Sequence, residues 1–344
     1  MASLAVPFVP ATSIARPRAV ALWLLCVAAM VFLMVVVGGI TRLTESGLSI
    51  TRWDVVSGTL PPLTDAAWAE QFALYQQSSQ YKLMNQGMSL SAFKGIFFWE
   101  YVHRLLGRLI GLAFALPLAW FWLRRAIPAG YKPRLLSLLT LGALQGTIGW
   151  WMVASGLSGR TEVAPERLAV HLSTALIIMA GCLWTALDLM RGAPETAVRP
   201  RRWVWPFAVL LAVQIVWGAF TAGLRAGKAS DTWPLMVGEL VPPGLFGALA
   251  DLVHSPFTVH FLHRSMAYAV AAAALVVALR LWNAGAGARA LALGGAITAQ
   301  FVLGVLTVVN GVPVALGVMH QGCAALLVAA TVICAHWSVQ GTRT

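Results

Sequence analysis

The chain alternates between long apolar runs and short segments that carry charge, glycine and proline. Eight of the runs are about 20 residues or longer, which is the length a helix needs to cross the hydrocarbon layer of a bilayer. The pattern therefore predicts eight transmembrane helices. They cover approximately residues 19–40, 104–124, 135–155, 168–190, 204–224, 262–282, 289–310 and 314–337.

The composition narrows the class of protein. Hydrophobic residues make up 59% of the 344 residues and charged residues only 10%, whereas soluble domains carry about 25% charged residues. These values exclude a disordered chain, an ordinary cytosolic enzyme and a nucleic-acid-binding domain, even though the net charge is +12. We expect an all-α integral membrane protein that is surrounded by the lipid bilayer and binds no nucleic acid.

The basic residues predict the orientation. With a cytoplasmic amino terminus, 13 of the 24 Lys and Arg residues but only two of the 12 acidic residues fall on the cytoplasmic side. This asymmetry satisfies the positive-inside rule, so both termini are expected in the cytoplasm. Two long segments, 42–103 and 225–261, then face outward. The short N-terminal segment, with Arg16 and Arg18 beside the first span, favours a bacterial inner membrane over a mitochondrial one.

The first outer segment is expected to be partly helical. Thr64 is suited to cap a helix on which Trp68, Phe72 and Tyr75 share one face. The run from Ser89 to Trp99 predicts a second amphipathic helix that leads into the second span. We interpret both as interfacial helices that cover a site in the membrane.

The two halves of the sequence resemble each other. Matches at an offset of 180 residues pair Thr41 with Thr221, Gly47 with Gly227 and Trp53 with Trp233. The second and sixth spans are preceded by the similar motifs E-Y-V-H-R and H-F-L-H-R. Four-span units that start on the same side of the membrane form a parallel repeat. The sequence thus predicts two pseudo-symmetric four-helix bundles, residues 1–195 and residues 196–344.

Four histidines lie near the starts of the second, fourth, sixth and eighth spans: His103, His171, His263 and His320. All four spans run inward, so the imidazoles are expected near the periplasmic face. Two histidines on two helices of one bundle are a means of holding an iron porphyrin. Small residues four positions later leave room for a flat macrocycle, or simply pack helices. They are Gly107, Ala175, Ala267 and Ala324.

Other metal chemistry is less favoured. No carboxylate or thiol completes a four-ligand zinc site, although copper remains an alternative. The four cysteines lie in apolar spans without CxxC spacing, so we expect no disulfide framework and interpret them as core residues. They are Cys26, Cys182, Cys323 and Cys334. His254 and His260 are interpreted as residues of the outer loop and the mouth of the sixth span, and His336 as an interfacial residue near the cytoplasmic end. The alternative for His260, three residues before His263, is a partner of a propionate or of the haem ligands.

Four arginines are candidates to bind the propionates of haem: Arg42, Arg104, Arg108 and Arg264. The planar guanidinium suits a carboxylate, because it can donate two parallel hydrogen bonds. The alternative is that these side chains reach lipid head groups from the helix ends.

The two halves differ beside the histidines. Glu100 precedes His103 by three residues and shares its helix face, whereas His260 occupies the matching position in the second half. A buried carboxylate can exchange a proton or stabilise a developing cation. We therefore expect the first half to carry chemistry and the second half to hold a resident redox centre. The alternative is that Glu100 simply forms an ion pair with Arg104 or Arg108.

Four segments together resemble the haem A synthase family, in particular its mitochondrial and proteobacterial type. They are Gly38–Trp53 (G-G-I-T-R-L-T-E-S-G-L-S-I-T-R-W), Gly58–Leu63 (G-T-L-P-P-L), Tyr81–Asn85 (Y-K-L-M-N) and Trp99–Arg108 (W-E-Y-V-H-R-L-L-G-R). The resemblance covers nearly the whole chain. It implies an oxidoreductase that converts the C8 methyl group of haem O, by successive hydroxylation, into the formyl group of haem A for haem–copper terminal oxidases.

The resemblance also implies roles for individual residues and partners. The substrate haem would lie between His103 and His171, and a resident haem b between His263 and His320. Glu100 matches a glutamate implicated in the oxidation, through stabilisation of a carbocation-like intermediate, and Arg104 and Arg108 would lie near the substrate haem. Implied partners are a haem O synthase that donates the substrate, the assembly factors of terminal oxidases, and an electron acceptor that the sequence does not identify.

The route of the electrons and the rival functions stay open from the sequence. Another branch of the family carries a cysteine pair in the outer loops; this chain has none there, so its electrons must leave by another route. The sequence does not decide whether the chain forms a homo-oligomer. From the residues alone, a di-haem b-type electron-transfer cytochrome would use the same four histidines, although a simple relay needs no Glu100. A transporter built from repeats would place its site at the midplane instead.

Overall fold

The computed structural model describes residues 15–53, 57–191 and 201–339. Within these ranges the chain forms eleven α-helices and no strand of a sheet. The helices are α1 Pro17–Leu43, α2 Asp65–Gln76, α3 Ser79–Met84, α4 Leu90–Leu123, α5 Lys132–Leu157, α6 Pro165–Leu189, α7 Arg201–Gly223, α8 Asp251–His254, α9 Pro256–Asn283, α10 Gly287–Val309 and α11 Val314–Val339. Short 3₁₀ turns occur at Ser57–Thr59 and Ala226–Lys228.

Eight of these helices are long and apolar enough to cross a membrane, and they coincide with the eight predicted spans. They are α1, α4, α5, α6, α7, α9, α10 and α11. The prediction of an all-α integral membrane fold is therefore confirmed. Two helices begin earlier than expected, α4 at Leu90 rather than near residue 104 and α9 at Pro256 rather than near residue 262.

Serine caps explain these early starts. The hydroxyl of Ser89 accepts a hydrogen bond from the Ala92 N–H at 3.2 Å, and that of Ser255 accepts one from the Thr258 N–H at 3.3 Å. The serine hydroxyl satisfies a backbone N–H that would otherwise be unpaired at the helix start. The helix can therefore begin well before its apolar part. The predicted amphipathic segment and the second span are thus one helix.

The expected helix in the first outer segment is present as α2. Thr64 caps it by accepting from the Ala67 N–H at 3.2 Å. Its aromatic face packs on α4, with the rings of Tyr75 and Phe93 stacked at 5.3 Å between centroids. Burial raises the pKa of the Tyr75 hydroxyl above its usual value, and hydrogen bonding from Asn85 opposes this rise. The outer segment therefore forms a packed cover on α4 rather than a loose loop.

Two hydrophobic clusters form the core of the membrane part. One is drawn mainly from α1, α4, α5 and α6, and the other mainly from α7, α9, α10 and α11. Helices α1 and α6 pack together and also contact α11, and α6 contacts α7, so these four helices lie where the clusters meet. The predicted boundary between residues 195 and 196, like both chain termini, lies outside the described residues.

An ion-pair network joins the ends of α1 and α7. Glu45 and Arg225 are equivalent positions at the offset of 180 residues, both adopt a left-handed backbone (φ 58° and 51°), and they form an ion pair at 2.9 Å. Glu162 pairs with Arg225 and, at 2.5 Å, with Arg42. Arg42 also donates to the carbonyl of Ala222 at 2.9 Å. The side chain of Arg42 is therefore engaged in linking helix ends.

The interpretation of the cysteines as core residues holds only in part. Cys182 and Cys334 are buried and Cys323 is half-buried, but Cys26 is exposed on α1. The expectation for Cys26 is wrong because the apolar composition of a span does not distinguish a face that meets lipid from one that meets protein. All four thiols are free.

Candidate functional site

The four predicted histidines lie on α4, α6, α9 and α11, the expected helices. His171, His263 and His320 are about two turns from the starts of their helices, as predicted. His103 lies deeper in its helix, because α4 continues outward to Leu90 beyond the membrane span.

His263 and His320 face each other across the second half. Their ring centres are 6.5 Å apart and the ring planes are perpendicular. Because metal–imidazole bonds are about 2 Å long and a ring nitrogen lies about 1.1 Å from the ring centre, a metal between two imidazoles separates the centres by about 6 Å. In the first half, His103 faces Gly38 of α1 and His171 faces Gly149 of α5. The second half therefore brings its two histidines together, and the pairing of His103 with His171 stays a prediction.

The donor set fits an iron porphyrin better than a metal held by protein alone. Among residues 15–53, 57–191 and 201–339 no group of three or more His, Cys, Asp or Glu side chains could hold a metal ion. A porphyrin supplies four nitrogens itself, so two axial imidazoles complete its coordination. The buried Nδ1 atoms of His171 and His320 have no hydrogen-bond partner in the described part of the chain. Buried polar atoms without a partner call for an explanation, and ligation of iron supplies one.

A glutamine and a glycine on the preceding span contact three of the four histidines. The pairs are Gln145 and Gly149 beside His171, Gln214 and Gly218 beside His263, and Gln300 and Gly304 beside His320. The glutamine amide nitrogen lies 3.2–3.5 Å from a ring nitrogen in each case. A Cβ atom on any of the three glycines would lie 2.9–3.0 Å from the histidine Cε1. The glycine thus lets the ring lie against the neighbouring helix, and the glutamine fixes its direction.

The sequence reasoning above does not identify these glutamines and glycines as site residues. The signal is nevertheless present, because Gln-x-x-x-Gly recurs in the third, fifth and seventh spans, each time one span before a histidine. Polar neighbours that position a metal-binding histidine are a regular feature of metal sites, and here the amide nitrogens of Gln145 and Gln214 donate to the backbone carbonyls of His171 and His263 at 3.0 Å.

Glu100 is buried, with 2% of its surface exposed, and its carboxylate is fully engaged. One oxygen accepts hydrogen bonds from the Ser49 hydroxyl at 2.7 Å and from the Ile50 N–H at 2.8 Å. The other forms an ion pair with Arg104 at 2.7 Å. The structure therefore shows the ion pair that the sequence left as an alternative, and adds a tie between α4 and the chain just after α1.

Arg104 and Arg264, which are equivalent in the repeat, both bind the outer segments. Arg104 donates to the carbonyls of Ile50 and Arg52 at 2.8 and 2.9 Å. Arg264 donates to the carbonyl of Leu235 at 3.3 Å, and its Nη1 is buried without a hydrogen-bond partner among the described residues. Arg108 is half-buried one turn further along α4. Propionate binding by Arg42, Arg104, Arg108 and Arg264 stays a prediction.

His260 differs from its interpretation as a loop residue. It is inside α9, only 1% exposed, and neither ring nitrogen has a partner among the described residues. The loop interpretation is wrong because α9 begins at Pro256 and packing buries this side chain. His336 is in the last turn of α11, is 3% exposed and lies 3.0 Å from a carboxylate oxygen of Asp188 on α6. His254 is exposed, as expected.

The chain matches known proteins over most of its length. A family model described as cytochrome oxidase assembly protein matches residues 21–332. The chain is 50% identical to a haem A synthase of Sphingopyxis alaskensis, over 93% of this chain and 92% of that protein. It is also 50% identical to a haem A synthase of Novosphingobium aromaticivorans (92% and 94%) and 48% identical to one of Caulobacter vibrioides (91% and 94%).

Proposed function

This chain belongs to the cytochrome oxidase assembly family that its haem A synthase relatives represent, and from that membership we propose how its residues serve the family's reaction. The protein is a membrane-embedded oxidoreductase that oxidises a methyl group of haem O and thereby makes haem A. Its closely related proteins carry the name of a synthase, so an electron-transfer cytochrome without substrate chemistry is not the favoured function.

One observation carries the assignment of the sites: each half places two histidines on two of its helices. His103 and His171 hold the substrate haem in a first unit of residues 1–195. His263 and His320 hold haem b in a second unit of residues 196–344. The spacing of the second pair supports this assignment, because it would leave room for one metal ion between two imidazoles.

Glu100 acts in this proposal as a fixed negative charge beside the substrate. Both carboxylate oxygens already accept hydrogen bonds, so a proton could reach them only by displacing a donor. We therefore favour electrostatic stabilisation of positive charge that develops at the methyl carbon over proton transfer. Arg104 holds this carboxylate in place.

Haem b supplies one-electron redox chemistry when it is bound. The protein's part is to orient it through Gln214 and Gln300 and to exclude water through the packed second half. Arg264 has a buried Nη1 to offer to a propionate. Bound haem b would pass its electrons to an acceptor outside this chain, and the four free thiols, which all lie in the spans, have no assigned part in that route.

The setting is the inner membrane of a bacterium, with both termini in the cytoplasm and both haem sites toward the periplasmic face. The aromatic cover formed by α2 and α4 then lies on the periplasmic side. Haem O reaches the first site laterally, with its farnesyl tail in lipid, from a haem O synthase. Haem A leaves for the assembly factors of a terminal oxidase.

The test is to extract haem from cells that make haem O, with and without this protein, and to identify the haems by mass spectrometry. We expect haem A and a hydroxylated intermediate only in cells that contain the protein. Haem b that stays bound while no oxidised haem forms would instead identify an electron-transfer cytochrome. Purified protein without porphyrin absorbance would contradict both functions.

A further inference from the structure

One histidine of the substrate site, His103, differs from the other three in what faces it. His171, His263 and His320 each have a glutamine amide within 3.5 Å of a ring nitrogen. At the offset of 180 residues that relates the first and fifth spans, the counterpart of Gln214 is Met34. The span that faces His103 therefore carries a thioether where its repeat carries an amide.

The structure shows that Met34 occupies the corresponding place. A Cβ atom on Gly107, one turn after His103 on α4, would lie 3.6 Å from the Met34 methyl carbon. Met34 therefore reaches toward the part of α4 that bears His103, as Gln214 reaches toward His263 on α9. The two side chains have similar length, so position and reach are shared and only the chemistry differs.

That chemical difference removes two contacts. The Gln214 amide nitrogen donates to the backbone carbonyl of His263 at 3.0 Å and also lies 3.2 Å from its Nδ1. A thioether donates no hydrogen bond and accepts only weak ones. It is also flexible, which suits a contact that must re-form in more than one geometry. Met34 therefore cannot donate a hydrogen bond to the backbone of His103, as Gln214 does to that of His263, and it places no polar group beside the ring.

The glycines on the preceding spans also pack differently against the two histidines. A Cβ atom on Gly218 would lie 3.0 Å from the ring of His263, whereas a Cβ atom on Gly38 would lie 3.6 Å from the ring of His103. The imidazole in the first half thus has several tenths of an ångström more room against its neighbouring helix. Two independent features, a missing donor and a looser fit, distinguish this one histidine.

We propose that Met34 is a positioning residue for haem exchange: by leaving His103 without an amide clamp, it makes the first site release its haem while the clamped second site retains its own. This inference rests on the proposed assignment of the substrate haem to His103 and His171. The two sites need different haem retention, because a substrate haem must enter and leave in every turnover and a resident haem must stay bound. Contacts to a metal-binding histidine from its surroundings change metal affinity by about 10–100-fold, which is enough to separate the two behaviours.

The experiment measures haem loss from purified protein into excess apomyoglobin, with the haems identified by extraction and mass spectrometry. The protein is made in cells that produce haem O. In Met34→Gln we expect haem O and haem A to leave about tenfold more slowly, while haem b remains at the wild-type amount. In Gln214→Met we expect haem b to leave about tenfold faster. Leu33→Gln, which adds the same amide on the exposed face of α1, should leave both rates unchanged.

Several outcomes would overturn the inference. One is a Met34→Gln protein that holds its full haem b, and is therefore folded, yet loses haem O and haem A within about twofold of the wild-type rate, far below the expected change. Another is equal slowing by Met34→Leu, which would make side-chain shape the cause rather than the amide. If wild-type protein neither contains haem O or haem A nor forms haem A in cells, the proposed function itself fails. Normal haem A formation with unchanged exchange in Met34→Gln refutes only the role of Met34.

Discussion

The two halves of this protein repeat one arrangement of helices, but they carry different residues at equivalent positions. On α4, Glu100 is buried and accepts hydrogen bonds with both oxygens, whereas His260 at the matching position on α9 is buried with no partner for either nitrogen among the described residues. On the preceding spans, Met34 stands opposite His103 and Gln214 opposite His263. The first half thus places a carboxylate on the helix of His103 and leaves that histidine without a glutamine contact, whereas both histidines of the second half have one.

In the proposed assignment, this contrast separates two tasks that both use haem. A resident redox centre benefits from axial ligands that are held rigidly, because any movement would weaken the metal bonds. A substrate site benefits from a charge placed where the reaction develops the opposite charge, and from ligands that can let go. On this proposal, the repeated bundle would supply both sites, and changes at a few equivalent positions would divide the work between them.

The largest expected effect comes from removing an axial ligand of the second half. His263→Ala or His320→Ala should abolish bound haem b, because a single remaining imidazole does not complete the coordination. Haem content per chain after purification measures this. His254→Ala, at an exposed histidine of the outer segment, is the control and should keep its haem. Unchanged haem b in His263→Ala would move the resident site to the other histidine pair.

Loss of the charge in the first half should come next. Glu100→Ala should lower haem A formation by about 100-fold or more while haem b remains bound, as expected for removal of an electrostatic contact to a reacting centre. Glu100→Gln keeps an oxygen for the Ile50 N–H but no charge, so it should be impaired nearly as strongly. Glu70→Gln, at an exposed carboxylate paired with Arg52, should match the wild type. A fully active Glu100→Gln would mean that anchoring of the outer segment, and not charge, is the role of Glu100.

The smallest expected effect tests the glycine contacts. In Gly218→Ala the new methyl group would press on the ring of His263, which should reduce bound haem b several-fold; Gly38→Ala should change haem content of the first site less, since its Cβ has 3.6 Å to the ring of His103. Alanine favours a helix over glycine by about 1 kcal/mol, so helix destabilisation would not explain a loss. Gly295→Ala on α10, where a Cβ meets nothing within 4 Å, is the control. Equal effects at Gly38 and Gly218 would remove the difference in fit between the halves.

The number of spans and the matching positions of the two halves are predictable from sequence, because both depend on strong, simple signals. The length of the apolar runs predicts the number of helices, and the repeat between the halves places Glu100 and His260 at matching positions from the residues alone. The cap at Thr64 is predictable for the same reason, since one residue type at one place satisfies a known need of the helix.

The contacts around the histidines are not predictable in this way. A transmembrane helix is apolar on every side, so its sequence does not show which face meets protein and which meets lipid. For this reason the sequence wrongly predicts Cys26 in the core and His260 in a loop, and it does not point to the contact of Gln214 with His263. Rotation of each helix is set by close packing, such as that of Gly304 on His320, which becomes visible only in three dimensions.

The ion pair between Glu45 and Arg225 makes the two halves of the chain non-interchangeable at this contact. In a symmetric dimer of one bundle, the residue on the axis would meet its own copy, and two glutamates or two arginines would repel each other there. Opposite charges at equivalent positions need two halves with different sequences, as this chain has. In a tandem protein made of two first halves, two glutamates would face each other at this contact and repel. Neither half can therefore replace the other here.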